Sequence, residues 1–294
     1  MKSSVLGLLI LSATTASHAQ IQTGLGGPVT TLAPSTYVQT PYVSAAIARN
    51  QSESPDRFFG DFYTLNSGTV NNLALVDNPA GGTRKVFKLS LRHTDADTAG
   101  AKRTEVTPNY EYTHEGKRWY AASLFIPVDW QDDPRADHPV VVFQMHSAKG
   151  VVLTSPPAGI VIDGPDLVLE THTNYLGAGA ATKENMTTQR VALGPLAPHK
   201  GKWMCFVVSA DWQSTVGSGN FTLWMDGVQV YQTANLYNSY QNSLGNYPKV
   251  GMYQPGIMDG TNGVRELYAD FIHIGADAST FEMMAAKTPC GLPQ

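Results

Sequence analysis

From Arg57 onward apolar residues recur at every second position in short runs, the period of strands with one buried and one wet face. Arg57–Tyr63 is the first such run, and in Lys85–His93 the residues Phe87, Leu89 and Leu91 alternate with Lys88, Ser90 and Arg92. The segment Glu111–Val128 contains Arg118-Trp-Tyr-Ala-Ala-Ser-Leu-Phe-Ile-Pro, a strand stopped by Pro127, which has no N–H to give a ladder. In Val140–His146 one side carries Val141, Phe143 and Met145 and the other Val142, Gln144 and His146, so one face stays apolar while the other turns polar. Ile160–Asn174 predicts a hairpin about Asp163-Gly164-Pro165, with Val168, Glu170 and His172 on one face of its second strand. Lys202–Trp212 is a further strand, and Gly219–Tyr231 is two strands about Asp226-Gly227, a dipeptide suited to a tight hairpin turn. Asn246–Gly256 is extended, Leu267–Gly275 is the last strand, and a single turn near Ser279–Ala286 is the only helix predicted. Strands without intervening helices predict an all-β chain, an antiparallel β-sandwich or jelly roll.

The amino terminus has a different character. Met1-Lys2, the apolar run Val5–Leu11 and the small residues ending Ser17-His18-Ala19 predict a signal peptide over 1–19, too short to span a bilayer. The product is expected to begin near Gln20 and to be secreted or periplasmic. Residues 20–50, rich in Thr, Gly, Pro and Ser, predict an irregular leader, and 51–294 one domain, since no linker, charge block or repeat divides it. Losing 1–19 removes Lys2 and no acid, leaving 19 basic residues against 24 acidic ones and moving the net charge from −4 to −5. That balance argues against nucleic acid as a partner, and no later stretch approaches the ~18 apolar residues a spanning helix needs. A monomer is expected. Cys205 and Cys290 are either one disulfide or two buried thiols, the oxidising compartment favouring the disulfide, and are too few for a zinc site.

Candidate chemistry lies on the polar strand faces. In Asn246–Gly256, Lys249, Gly251 and Tyr253 share a face, which suits either a cleft with glycine leaving room for a ligand or an edge strand with a solvated lysine. Arg103 and Glu105 share a face in Lys102–Val106, as a cleft pair or a surface ion pair. His146 suits either a site or a hydrogen-bonded strand end, and His93 is expected to be packed.

Gly201-Lys-Trp203, Leu223-Trp-Met-Asp-Gly-Val228 and Tyr268-Ala-Asp-Phe-Ile-His-Ile-Gly275 resemble segments of the concanavalin-like jelly roll. Within that fold, Arg103-Thr-Glu105, Phe143-Gln-Met-His146 and Lys249-x-x-x-Tyr253 resemble the secreted polysaccharide lyases grouped with glucuronan lyase and heparin lyase I. The likeness runs from about Arg57 to Gly275. It implies endolytic β-elimination on an anionic polysaccharide containing uronic acid, with no cofactor required for the chemistry and a structural Ca2+ as an option. The C5 hydrogen of a uronate is weakly acidic beside a charged carboxylate. The enzyme must therefore neutralise that charge, remove the proton and protonate the departing O4. On the resemblance, Arg103 and Gln144 hold the carboxylate, Tyr253 and His146 form the acid/base pair, and Lys249 lowers the phenol's pKa or binds a neighbouring sugar acid. Arg92, Lys88, Glu105 and His172 are the further substrate-binding candidates. Tyr253 leads, because in β-linked glucuronate the C5 hydrogen and O4 lie on the same side of the ring. The acidic net charge favours β-1,4-glucuronan or a related polyuronate over sulfated heparin, with alginate open. A lectin-like module with Trp119, Trp212 and Tyr240 as its platform is one alternative. A glycoside hydrolase is another, and it needs two carboxylates about 5–9 Å apart.

Overall fold

Alternation places one set of side chains between two antiparallel sheets and leaves the other set outside. The computed structural model describes residues 30–31, 56–58 and 63–291, apart from 99, 109–112, 132–138, 149–154, 175–181, 183–184, 216, 242 and 256–262. The signal peptide at 1–19 and nearly all of the leader therefore lie outside the described residues.

The strands are β1 (Thr30–Thr31), β2 (Asp56–Phe58), β3 (Tyr63–Ser67), β4 (Leu73–Asp77), β5 (Lys85–Arg92), β6 (Lys102–Pro108), β7 (Gly116–Phe125), β8 (Val140–Ser147) and β9 (Ala158–Asp163). They continue as β10 (Asp166–Asn174), β11 (Met186–Pro195), β12 (Trp203–Trp212), β13 (Gly219–Met225), β14 (Val228–Leu236), β15 (Asn246–Gln254), β16 (Val264–Ala269) and β17 (His273–Gly275). One sheet has the order β14-β13-β12-β7-β16-β5-β4, with β17 on β7 and β1 on β17; the other has the order β11-β10-β9-β8-β15-β6-β3-β2. The expected all-β jelly-roll sandwich is the fold of this chain.

Between the sheets lies one apolar core. Phe87, Leu89, Leu91, Leu124, Phe206 and Leu223 from the first sheet meet Val106, Phe143, Met145, Ile160, Val250 and Met252 from the second. Phe143 stacks on Phe206 across the interface at 6.1 Å. The β13–β14 hairpin turns on Asp226 and Gly227, both at positive φ (51° and 84°), as a two-residue turn matching the strand twist requires. Cys205 and Cys290 form a disulfide across 85 residues, tying the tail to β12. The predicted helical turn is Phe281–Ala285, capped by Thr280, whose side chain accepts from the Met283 N–H.

Several expectations differ from the structure. Leu267–Gly275 is two strands, because the chain leaves the ladder at Asp270–Ile272. Strands β4 and β11 were not predicted, and β11 is largely exposed, its apolar alternation limited to Val191 and Leu193. His93 is exposed rather than packed. Trp212, Tyr240 and Trp119 are buried, with the Trp212 indole donating to the Tyr120 hydroxyl, so they form no sugar platform.

Candidate active site

Strands β6, β15 and β8 lie side by side in the second sheet, though they are far apart in the chain. Their registers set Tyr253 opposite Arg103, Gly251 opposite Glu105, Lys249 opposite Gln144, and Tyr247 opposite His146. Because Val250, Met252, Phe143, Met145 and Val106 face the core, all these residues face the other way, in rows about 4.8 Å apart. The three segments that a shared cleft requires are thus neighbours. The glycine between lysine and tyrosine has a different cause from the one expected. Gly251 has φ 141°, and a Cβ there would stand 2.2 Å from the Thr104 carbonyl oxygen, so the space beside it is filled by β6.

Glu105 is the centre of the group. Its carboxylate meets the Lys249 ammonium at 2.6 Å, accepts a hydrogen bond from the Gln144 amide nitrogen, and stands 3.6 Å from the Arg103 guanidinium. Burial alone would raise its pKa, but Lys249 and Arg103 outweigh burial and hold it below the usual carboxylate range. Burial also lowers the pKa of Lys249, against the pull of Glu105. Arg103, Lys249 and Glu105 together leave one net positive charge on the floor. Glu105 was expected to bind the sugar, and Lys249 either to lower the phenol's pKa or to bind a neighbouring sugar acid; at 2% and 3% exposure the two form the buried floor of the group.

Above this foundation stand the groups that can meet a ligand. The Arg103 guanidinium lies 4.4 Å from the centre of the Tyr253 ring, a cation–π contact that holds the phenol. His146 packs on Tyr247 at 5.3 Å, and its Nδ1 bonds the Ser147 carbonyl at 2.6 Å. A carbonyl only accepts, so Nδ1 carries the proton and Nε2 is the acceptor of the neutral ring. Burial, with Lys249, depresses the His146 pKa to about 4, so the ring is neutral at physiological pH. Tyr247 went unnoticed in the sequence, although it shares the parity of Lys249 and Tyr253.

The same face continues through Gly159 of β9 to Glu170 of β10 and Arg190 of β11. His172 lies on this face beside Glu170, with Nε2 3.4 Å from the carboxylate and Nδ1 bonded to the Pro156 carbonyl. Arg190 pairs with Asp163 at 2.6 Å and stands 3.5 Å from Glu170. Lys88 and Arg92 are elsewhere. They lie on the outer face of β5 in the opposite sheet, Lys88 paired with Glu266 at 2.9 Å and Arg92 donating to the Asn72 side chain at 2.7 Å. Alternation identified their wet face but not the sheet that owns it. Among the described residues, the cluster with metal-ligand spacing is Cys205, Asp226 and Cys290, and its cysteines are joined as a disulfide.

A family model described as polysaccharide lyase matches residues 58–273, more than half of the chain. No curated protein matches by sequence. The fold is similar to that of an endo-β-1,4-glucuronan lyase from the fungus Trichoderma reesei, at 22% identity over 72% of this chain and 88% of that one, with a TM-score of 0.57. It is also similar to alginate lyase A1-II′, a member of polysaccharide lyase family 7, at 13% identity over 73% of this chain and 94% of that one, with a TM-score of 0.50. At such identities the likeness is one of fold.

Proposed function

The chain belongs to the polysaccharide lyase family, and from that premise we propose that it is exported and cleaves β-1,4-glucuronan, or a related polyuronate, endolytically by β-elimination. The observation that carries this reading is the single face on which Arg103, Gln144, His146 and Tyr253 surround a floor of one net positive charge. One such charge matches one uronate carboxylate. Arg103, whose Nε lacks a partner, takes that carboxylate and makes C5 more acidic. Tyr253 removes the C5 hydrogen and returns the proton to O4, the guanidinium against its ring compensating the charge of a phenolate during transfer. His146, neutral and a weak base, accepts a sugar hydroxyl at Nε2 rather than the C5 proton. No free cofactor is needed for any of these steps.

The competing classes have less support. The tryptophans and tyrosine proposed as a lectin platform are buried, and the carboxylate nearest the site, Glu105, is occupied by protein groups and cannot serve as a hydrolase's acid or nucleophile. The glucuronan preference draws on the acidic composition and on the likeness in fold to a glucuronan lyase. The test is incubation with glucuronan, alginate and heparin while following the ultraviolet absorbance of the unsaturated product. Rising absorbance with a rapid fall in viscosity on glucuronan is expected. Polymer bound without absorbance, or reducing ends without absorbance, sinks the lyase reading. Export is checked by the mass of the mature protein, which should begin near Gln20.

A further inference from the structure

The face that carries Arg103, His146 and Tyr253 continues beyond β8. One cross-strand row runs from Lys249 through Gln144, Gly159 and Glu170 to Arg190. A Cβ on Gly159 would stand 3.4 Å from a Val141 methyl and 3.6 Å from the Gln144 Cβ, ordinary contacts, so packing does not demand glycine there. What the glycine leaves is a bare stretch of floor between the reacting groups and Glu170. Neighbouring strands lie ~4.8 Å apart, close to the length of one pyranose in an extended 1,4-linked chain, so a polymer crossing the strands advances about one sugar per strand. With the reacting uronate over β15 and β8, the second sugar beyond it on the β9 side lies over Glu170 and Arg190. These side chains are within a ligand's reach, at 31% and 44% exposure. The charge there has the opposite sign to that under Tyr253. Arg190 is held by Asp163 at 2.6 Å and Glu170 at 3.5 Å, so two carboxylates stand against one guanidinium and leave one net negative charge. His172, beside Glu170, offsets that charge only when protonated.

We propose that Glu170 is a specificity-determining residue of the lyase cleft: with Asp163 and Arg190 it takes an uncharged sugar two units from the reacting uronate and disfavours a second ionised carboxylate there. The proposal rests on the lyase reading and narrows its preferred substrate to chains that mix uronates with neutral sugars, glucuronan being accepted but not favoured. A sugar hydroxyl both donates and accepts, so a neutral ring can donate to Glu170 and accept from Arg190 without breaking either ion pair. A uronate carboxylate only accepts, and it has to draw Arg190 away from Asp163 while lying beside Glu170. Like charges about 5 Å apart at a wet surface repel by enough to change a rate or an affinity about 3–10-fold.

The test uses the whole protein, its Glu170→Gln and Arg190→Gln variants, and two polymers: glucuronan, and glucuronan with part of its carboxyl groups reduced to alcohols. Unsaturated product is followed by ultraviolet absorbance at low ionic strength and about pH 8, above the ordinary range of histidine, and kcat/KM is expressed per remaining uronate. The parent should favour the reduced polymer. Glu170→Gln should raise kcat/KM on glucuronan about 3–10-fold, mostly through KM, and shrink that preference. Arg190→Gln, which leaves both carboxylates without their guanidinium, should widen it. A merely structural loss lowers the melting temperature, or the rate on both polymers alike, and cannot raise one of them. A parent that treats the two polymers alike, or a Glu170→Gln variant whose kcat/KM on glucuronan stays or falls, overturns the proposal. If the parent releases no unsaturated product from either polymer, the lyase reading fails and calorimetric affinities decide the charge preference separately. Tighter binding of the reduced polymer by the parent, lost in Glu170→Gln, then sustains it, and equal affinities overturn it.

Discussion

Replacing Lys249 by methionine separates the electrostatic role of the buried pair from its packing. Methionine keeps most of the unbranched stem, so little apolar contact is lost. What goes is the ammonium 2.6 Å from Glu105, at a place where the two side chains are 3% and 2% exposed. Breaking a buried pair by removing one partner costs about 3–5 kcal/mol, because an uncompensated charge stays inside. Arg103 at 3.6 Å and the Gln144 amide still face the carboxylate, which puts the expected loss near the lower end, about 3 kcal/mol. The pH dependence carries a sign. In the parent protein Glu105 titrates below its ordinary 4.5, so its contribution to stability is present above that pH and is lost as the pH falls through the folded value. Without Lys249 the balance tips to burial, the folded pKa rises above 4.5, and Glu105 destabilises the variant increasingly as the pH rises. Urea unfolding of both proteins at about pH 8 and about pH 5 should show the larger deficit at the higher pH. A deficit under ~1 kcal/mol, as for an exposed pair, or one equal at both pH values, refutes the reasoning.

The other expectations are simpler. Tyr253→Phe removes the proposed proton carrier and keeps the ring under Arg103, so turnover should drop about 10²–10⁴-fold with the melting temperature nearly unchanged; near-normal turnover sinks the acid/base assignment. The ring of His146, followed by NMR, should titrate near about 4 rather than 6.5. Its folded pKa lies below the unfolded value, so this group withdraws stability as the pH falls from 6.5 toward 4, and a midpoint near 6.5 would contradict its burial beside Lys249. Cys290→Ser opens a closure of 85 residues and should lower stability by about 4–5 kcal/mol on loop entropy, read by urea unfolding against the parent; a loss under about 1 kcal/mol would mean that the unfolded tail gains little freedom.

The sandwich was legible because a strand packed on a core must alternate, and β5, β8, β12 and β15 each put their apolar set inward. Strand β11 was illegible for the same reason: it is largely exposed, and only Val191 and Leu193 mark its inner face. The candidate site was legible only as residue types and parity, since Lys249 and Tyr253 must share a face wherever a strand forms. Alternation does not say which strands are neighbours. Lys88 and Arg92 alternate as cleanly as Gln144 and His146, yet β5 pairs with β4 and β16, and its cations finish on the far side.

Depth was hidden as well. A polar residue on a strand's outer face looks solvated in the sequence whether the face meets water or forms the floor of a cleft. Lys249 and Glu105 are charged, outward-facing and nearly inaccessible, a combination stable only because each holds the other. Gly251 shows the same ambiguity on the backbone: the sequence displays a gap beside the tyrosine, and the Thr104 carbonyl occupies it. Residue type and parity thus tell which groups can face a sugar, while cross-strand registry decides which are free to do so. By that criterion the proposed reading gives Arg103, His146 and Tyr253 to the substrate and keeps Glu105 and Lys249, which hold each other, for the protein.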